Sequence, residues 1–251
     1  ARNSLLPLRL DKARREAGHA ERHLKALREA FEARRKREAE VAAAAAAEQA
    51  RRAREEMTYA PAPVREFYLE VAEMNASLAE QRTAPEGLLR KLERLARETE
   101  QLNRRKTELS ADFERIQSRI NAGGLNENVG IWLRRYKADL PNTRTLNQRI
   151  RENLARIAES ELNAFELREQ RNALPDVEEK LQEILSLLPE DFDPILREQL
   201  TADLRTQMQT KRRHLQEMLT DYAKYTSDLE TFVALQRELA DLASQFRTYI
   251  N

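Results

Sequence analysis

An apolar seam of unusual length most constrains what this chain can fold into. Between residues 64 and 120, mostly apolar residues recur at strictly alternating intervals of three and four. This is the heptad spacing of helices that pack along one face. The seam positions are Val64, Phe67, Val71, Met74, Leu78, Gln81, Pro85, Leu88, Leu92, Leu95, Thr99, Leu102, Lys106, Leu109, Phe113, Ile116 and Ile120. The pattern predicts long helices, because a half-buried strand would alternate with a period of two.

The turn-forming residues are scarce, which points the same way. The 251 residues include only 5 glycines and 8 prolines, and 35% of the chain is charged. Sandwiches, barrels and doubly wound α/β folds need Gly and Pro at their many turns. We therefore expect an all-α fold, built of long antiparallel coiled-coil helices that form two elongated helical bundles.

A first long helix is predicted over residues 8–57. Its heptad positions are Leu10, Ala13, Ala17, Ala20, Leu24, Leu27, Phe31, Arg34, Glu38, Val41 and Ala45. Pro61 and Pro63 then break the helix, since a residue that precedes proline avoids the α region. Because the connection is short, we expect the two seams to pair as an antiparallel hairpin over residues 1–122.

The segment around Pro85 allows two interpretations. Thr83 and Glu86 have the spacing of a capping box, which would start a new helix. The seam keeps its phase through this segment, which favours one helix kinked at Pro85. We take the kinked helix as the prediction.

Residues 123–251 are predicted to form a second bundle of short helices with a long C-terminal helix. Short helices are expected at 127–138 and from Asp176 to 188, and longer ones at 143–172 and from Pro194 onward. The last helix has the seam Met218, Tyr222, Tyr225, Leu229, Phe232, Gln236, Leu239, Ala243, Phe246 and Ile250. The 143–172 helix is expected to place Leu146, Ile150, Leu154, Ile157, Leu162 and Phe165 on one face.

The short helix at 127–138 concentrates large apolar groups. They are Val129, Ile131, Trp132, Leu133 and Tyr136. We interpret the cluster as a plug between the ends of the long helices. The alternative is that Trp132 is an exposed anchor for a neighbouring copy or for a membrane surface.

No residue pattern identifies a reaction or a bound cofactor. His19 and His23 are four residues apart, with Glu16 one turn earlier, which is a possible metal-ligand spacing, but no fourth ligand is suggested. There is no cysteine, and 44 basic residues balance 43 acidic ones. A nucleic-acid binder is usually far more basic. We expect no enzyme activity, no catalytic, cofactor-binding or metal-binding residues, no cofactor and no nucleic-acid partner.

Four basic clusters are interpreted as solvated helix faces. They lie at residues 34–37, 51–54, 104–106 and 134–135. Acidic residues at helical spacings accompany them, which is typical of a solvated helix face.

Residues 102–174 carry a more specific signal. The order is a heptad helix, INAGGL at 120–125, VGIWLRRY at 129–136, ADLP at 138–141 and LNAFELREQRNAL at 162–174. This order resembles the periplasmic N-terminal region of large, MscK-like mechanosensitive channels of the MscS superfamily. In these proteins a helix ends at a glycine-containing turn, a short Leu-rich helix leads to a Leu-Pro stop, and a further helix follows.

The resemblance implies a role for the chain as part of a larger protein. The parent would be a bacterial inner-membrane ion channel that protects against hypo-osmotic shock. Its membrane-spanning parts would lie outside this sequence, and this chain would be a non-catalytic extension on the periplasmic side. It implies self-association within a homo-oligomeric channel, and other envelope components are possible partners. The alternatives are a free-standing coiled-coil scaffold or adaptor and a curved, lipid-binding helical dimer.

Overall fold

The computed structural model describes residues 5–56, 61–123 and 127–250. These residues form seven α-helices and no strand, which confirms the all-α prediction. The helices are α1 (Leu5–Glu56), α2 (Ala62–Thr83), α3 (Leu88–Gly123), α4 (Glu127–Asp139), α5 (Thr143–Asn172), α6 (Val177–Leu185) and α7 (Pro194–Tyr249).

Helix α7 is the rod on which most of the other helices pack. Its 56 residues make it about 84 Å long at about 1.5 Å per residue. Asp193 caps its N-terminus by accepting hydrogen bonds from the backbone N–H groups of Ile195 and Leu196, and Pro194 occupies the first turn, where no N–H is needed. The predicted α7 seam is buried from Met218 to Phe246 except at Tyr222, which is half-buried.

Helices α2 and α3 run parallel to α7, one after the other. Val64 shares a core cluster with Leu204, and Leu78 shares the next with Met218. Further along, Leu92 packs in a cluster with Leu229. Leu102 and Leu109 follow with Leu239, and Ile116 with Phe246. Most residues of the long seam at 64–120 therefore lie on the core-facing stripe of α2 and α3, as predicted, whereas Gln81 and Pro85 are exposed.

The predicted partner of that seam is wrong, because it packs against α7 and not against the heptad face of α1. Helix α1 does lie antiparallel to α2, but through a different face. Its buried residues are Ala39, Ala46 and Ala50, while the heptad positions Glu38, Val41 and Ala45 are exposed. Small side chains let the backbones of two helices approach closely, so the alanine face makes the contact.

The prediction of one helix kinked at Pro85 is also wrong. Helix α2 ends at Thr83, and Ala84 takes an extended conformation with ψ 162°, as residues before proline do. The Thr83 hydroxyl donates to the Ala79 carbonyl and so does not cap α3. Gly87 allows the tight return, because a Cβ there would lie 2.8 Å from the Arg82 and Gln81 carbonyl oxygens.

Helix α5 runs antiparallel to α7, and its predicted face is only partly correct. Leu146 and Ile150 are buried and Ile157 is half-buried, but Leu154, Leu162 and Phe165 are exposed. Two buried polar residues replace them at the contact. Asn153 donates to Gln236, and the Ser160 and Thr226 hydroxyls form a hydrogen bond of 2.8 Å. The spacing of apolar residues could not predict this face, because polar residues make part of the contact.

Helix α4 is a plug only through part of its apolar cluster. Leu133 and Tyr136 pack against Ile116, Leu140 and Phe246. Ile131 and Trp132 are exposed, and the side chain of Val129 lies outside the described part of the chain. The Arg119 guanidinium lies over the Trp132 ring, 4.2 Å from its centre. Trp132 is therefore not the buried plug that the sequence predicted.

The division into two bundles at residue 122 stays a prediction. Helix α7 belongs to the second predicted unit, and it shares core clusters with α2 and α3 of the first. Helix α1 contacts α2 most extensively.

Candidate functional site: two exposed apolar stripes and a buried ionic cluster

The most conspicuous surface feature is an apolar stripe on α1, which we call the α1 stripe. It consists of Leu24, Leu27 and Phe31, whose exposed fractions are 54%, 54% and 68%. These are three consecutive heptad positions of the first predicted seam. Large apolar side chains at heptad spacing usually meet a partner helix. Among the described residues, nothing covers this stripe.

The orientation of α1 explains why the stripe stays exposed. Polar contacts hold α1 against the bundle at this level: Lys25 binds Glu100 of α3 at 2.9 Å, and Lys224 of α7 binds Glu32 at 2.9 Å. The α1 residues that reach α3 and α7 here are therefore polar, while the Leu and Phe side chains lie on a neighbouring face of the helix. The prediction that Leu24, Leu27 and Phe31 pack against the chain's own helices is wrong.

A second stripe lies on α5, and we call it the α5 stripe. Leu154, Leu162 and Phe165 are exposed by 41%, 57% and 55%, with exposed Ala158 between them. The buried residues Asn153, Ser160 and Leu167 hold the opposite part of the helix against α7. Scattered exposed apolar residues are ordinary, but an apolar row along one helix face indicates an interaction surface.

A buried ionic cluster joins α1, α2 and α7 below the α1 stripe. Asp221 is fully buried. One of its carboxylate oxygens accepts from Arg35 of α1, and the other accepts from the Nε of Arg82 of α2 at 2.6 Å. Arg82 also pairs with Glu217, and burial lowers the pKa of the Arg82 guanidinium. One carboxylate thus fixes the rotation of α1 and α2 relative to α7.

His214 lies one helical turn before this cluster and is itself buried. Neither ring nitrogen has a hydrogen-bond partner among the described residues. Burial is the main cause that lowers the pKa of His214, with Arg213 and Arg82 acting in the same direction and Glu217 opposing them. The imidazole is therefore neutral at pH 7.

Sequence reasoning missed this cluster, although a signal was present. His214, Met218, Asp221 and Tyr225 follow intervals of four, three and four, so two polar residues stand at heptad positions of α7. A polar residue at a seam position often specifies register and partner. The identity of the pairing arginines depends on the packing of α1 and α2, which the seam does not reveal.

Two open grooves follow α7 beside the cluster. One, of about 550 Å³, lies between α2 and α5 and is lined by Leu78, Leu167, Lys211 and Met218 among others. The other, of about 340 Å³, lies between α3 and α5 over Tyr225. Both include Tyr222, whose pKa is raised by burial.

The histidine pair and most residues of the basic clusters lie on the surface, but Arg35 of the cluster at residues 34–37 binds the buried Asp221. His19 and His23 are exposed on α1, and in the part of the chain that the structure describes no three His, Asp or Glu residues could share a metal ion. Acidic partners bind many of the basic residues, as at Arg34 with Glu38 and Arg104 with Glu100. Hydrogen bonds from Arg51 and Arg52 lower the pKa of Glu48 to about 2.

No protein-family model, curated protein or solved structure matches this chain. Within residues 5–56, 61–123 and 127–250, none of the helices is long and apolar enough to cross a membrane.

Proposed function

We propose that this chain is a non-catalytic helical domain on the periplasmic side of a bacterial mechanosensitive channel, where it extends the channel and supplies assembly surfaces. The observation that carries the assembly role is the pair of apolar stripes outside the chain's own core. A catalytic protein would need a site with convergent reactive groups, whereas an assembly module needs rigid helices with apolar faces left for partners.

The channel context rests on the resemblance within residues 102–174. These residues form the C-terminal half of α3, then α4 and α5. A short helix ends before Pro141, and Asn142 caps the next helix by accepting from the N–H groups of Arg144 and Thr145. This order of helices agrees with the one that the resemblance implies, which supports the proposal without identifying the parent protein.

The test determines the subcellular location of the polypeptide. Because the sequence has no cysteine, Gln209→Cys at an exposed position of α7 gives one label site within this region. We expect the polypeptide to sediment with inner membranes, and a membrane-impermeant maleimide to label this residue once the outer membrane is permeabilised. Deletion of the region should alter survival of hypo-osmotic shock. A soluble cytoplasmic polypeptide would contradict the proposal.

The second candidate is a free-standing coiled-coil scaffold. The same exposed stripes favour it, since they would serve a soluble partner equally well. A polypeptide recovered from the soluble fraction, with its size close to that of this chain, is the outcome expected for the scaffold.

A further inference from the structure

We infer that the α1 stripe of one copy packs against the α5 stripe of a second copy. The copies lie side by side, and each copy uses two different surfaces to contact its two neighbours. The inference deepens the proposed assembly function, because it names the partner and both surfaces. It follows from the position, direction and charge of the two stripes, and each is argued in turn below.

The helices that carry the two stripes lie on different sides of α7. Helix α1 contacts α7 through Asp221 and Lys224, whereas α5 contacts it through Thr226. At about 100° per residue, Asp221 and Thr226 point about 140° apart around the helix, and Lys224 and Thr226 about 160° apart. A surface on one side and a surface on the other can join successive copies, whereas a single patch would only allow a closed pair.

The two stripes also lie at the same height along α7. Glu32 of α1 meets Lys224, and Ser160 of α5 meets Thr226. Lys224 and Thr226 are two residues apart, which is about 3 Å along the helix axis. Leu24 therefore lies within about one turn of the level of Leu154, and Phe31 within about one turn of the level of Leu162.

Helices α1 and α5 point in the same direction. As residue numbers rise in α1, the α7 partners fall from Lys224 to Asp221. Along α5 they fall from Gln236 to Thr226. Both helices thus run antiparallel to α7, and copies placed side by side would bring α1 and α5 together as a parallel pair. Because the contact has no axial step, it favours a closed ring over a filament.

Charge at the edges of the stripes is complementary. Arg28 is exposed and borders Leu27 and Phe31, and Glu161 is exposed and borders Leu162 and Phe165. At matched height these two residues lie along the same edge of the contact, within about one turn of each other. In a parallel pairing of α1 with α1, the positions that would face Arg28 are His23 and Ala30, and neither is acidic. Complementary edge charges therefore favour α5 over α1 as the partner.

The direct test uses cross-linking in the whole 251-residue chain, which has no native cysteine. Leu27→Cys and Ala158→Cys are both exposed, so neither change disturbs the core. Disulfides need Cβ atoms about 3.5–4.5 Å apart. We expect a mixture of the two variants to form a mixed disulfide on mild oxidation, and neither variant alone to form one efficiently. A Leu27→Cys disulfide with itself, or a monomer with no mixed product at millimolar concentration, would overturn the inference.

Charge exchange provides the second arm. Arg28→Glu and Glu161→Arg should each weaken association about fivefold, as loss of an exposed ion pair does. The double variant should regain wild-type association in sedimentation equilibrium. The control Glu198→Arg, an exposed reversal at the start of α7, should have no effect. If the double variant lost as much association free energy as the two single variants together, the pairing of Arg28 with Glu161 would be contradicted.

The outcome of these association experiments is independent of the outcome of the cellular test of the proposed function. Membrane location without self-association would keep the channel context and remove the second copy as partner. Self-association in a soluble polypeptide would do the reverse.

Discussion

The seam of α2 and α3 and the stripe of α1 have the same heptad pattern, yet their environments are opposite. Leu95 of α3 is 1% exposed and packs in one cluster with Leu229 of α7, whereas Leu24 of α1 is 54% exposed. The pattern therefore shows that a helix has an apolar face, but it does not tell which helix covers it. On α1 the alanine face packs against the bundle, so the larger apolar side chains of the α1 stripe stay exposed.

The largest loss of stability is expected from a mutation in the buried ionic cluster, which holds α1 and α2 against α7. Asp221→Ala would leave the buried Arg82 without one of its two carboxylate partners, and Arg35 would lose its own. Removing one partner of a buried pair costs about 3–5 kcal/mol. We expect urea unfolding, followed by circular dichroism, to show a loss of this size.

The matched control is an ion pair at the surface. Glu238 pairs with Lys106 in the middle of α3, and Glu238→Ala should cost less than about 1 kcal/mol. Equal losses for the two variants would show that Asp221 is no more important to the fold than an exposed pair.

The two leucines give the next largest contrast. Leu95→Ala should cost about 2–5 kcal/mol, since it empties a closed site. Leu24→Ala should change the free energy of unfolding by less than about 0.5 kcal/mol in dilute solution. If Leu24→Ala were as costly as Leu95→Ala, the α1 stripe would have to pack within its own chain.

Glycine to alanine changes should have opposite signs in the two regions. At Gly87 a Cβ would lie 2.8 Å from two backbone carbonyl oxygens, so Gly87→Ala should destabilise the chain by about 1–3 kcal/mol. At Gly18, in the first third of α1, a Cβ would meet nothing within 4 Å. Gly18→Ala should stabilise the helix by about 0.5–1 kcal/mol, and thermal melts of both variants check the signs.

The buried His214 should make the stability of the chain depend slightly on pH. Its folded-state pKa is lowered by burial, so below about pH 6.5 the unfolded chain binds a proton that the folded chain does not. Stability should therefore fall as the pH drops from 7.5 to 5.5, by at most about 1.4 kcal/mol per pH unit. His214→Gln should reduce that slope. A slope that survives His214→Gln would assign it to other groups.

The sequence predicts helices much better than it predicts their partners. The α7 seam and the start of α7 at Pro194 follow from local spacing and local backbone preference, and the structure confirms them. The choice of α7 over α1 as partner of the α2–α3 seam depends on side-chain size and on burial of Asp221, Arg35 and Arg82. Those are contacts between residues more than 130 positions apart, and no heptad count contains them.

The break at Ala84 illustrates the same limit on a smaller scale. An unbroken apolar phase favoured one kinked helix, but phase reports only which residues face the core. Two separate helices that lie end to end along α7 preserve the same phase, so the backbone preference of the residue before Pro85 decides the outcome.

The free energy of unfolding, measured against protein concentration, tests the central claim most directly. Association of folded chains stabilises them by mass action, so the wild-type chain should become more stable as its concentration rises. The variant with Leu24→Ser, Leu27→Ser and Phe31→Ser should match the wild type in dilute solution and show no such rise. A variant already less stable than the wild type by more than about 2 kcal/mol at the lowest concentration would contradict the account, because its α1 stripe would then belong to the chain's own core.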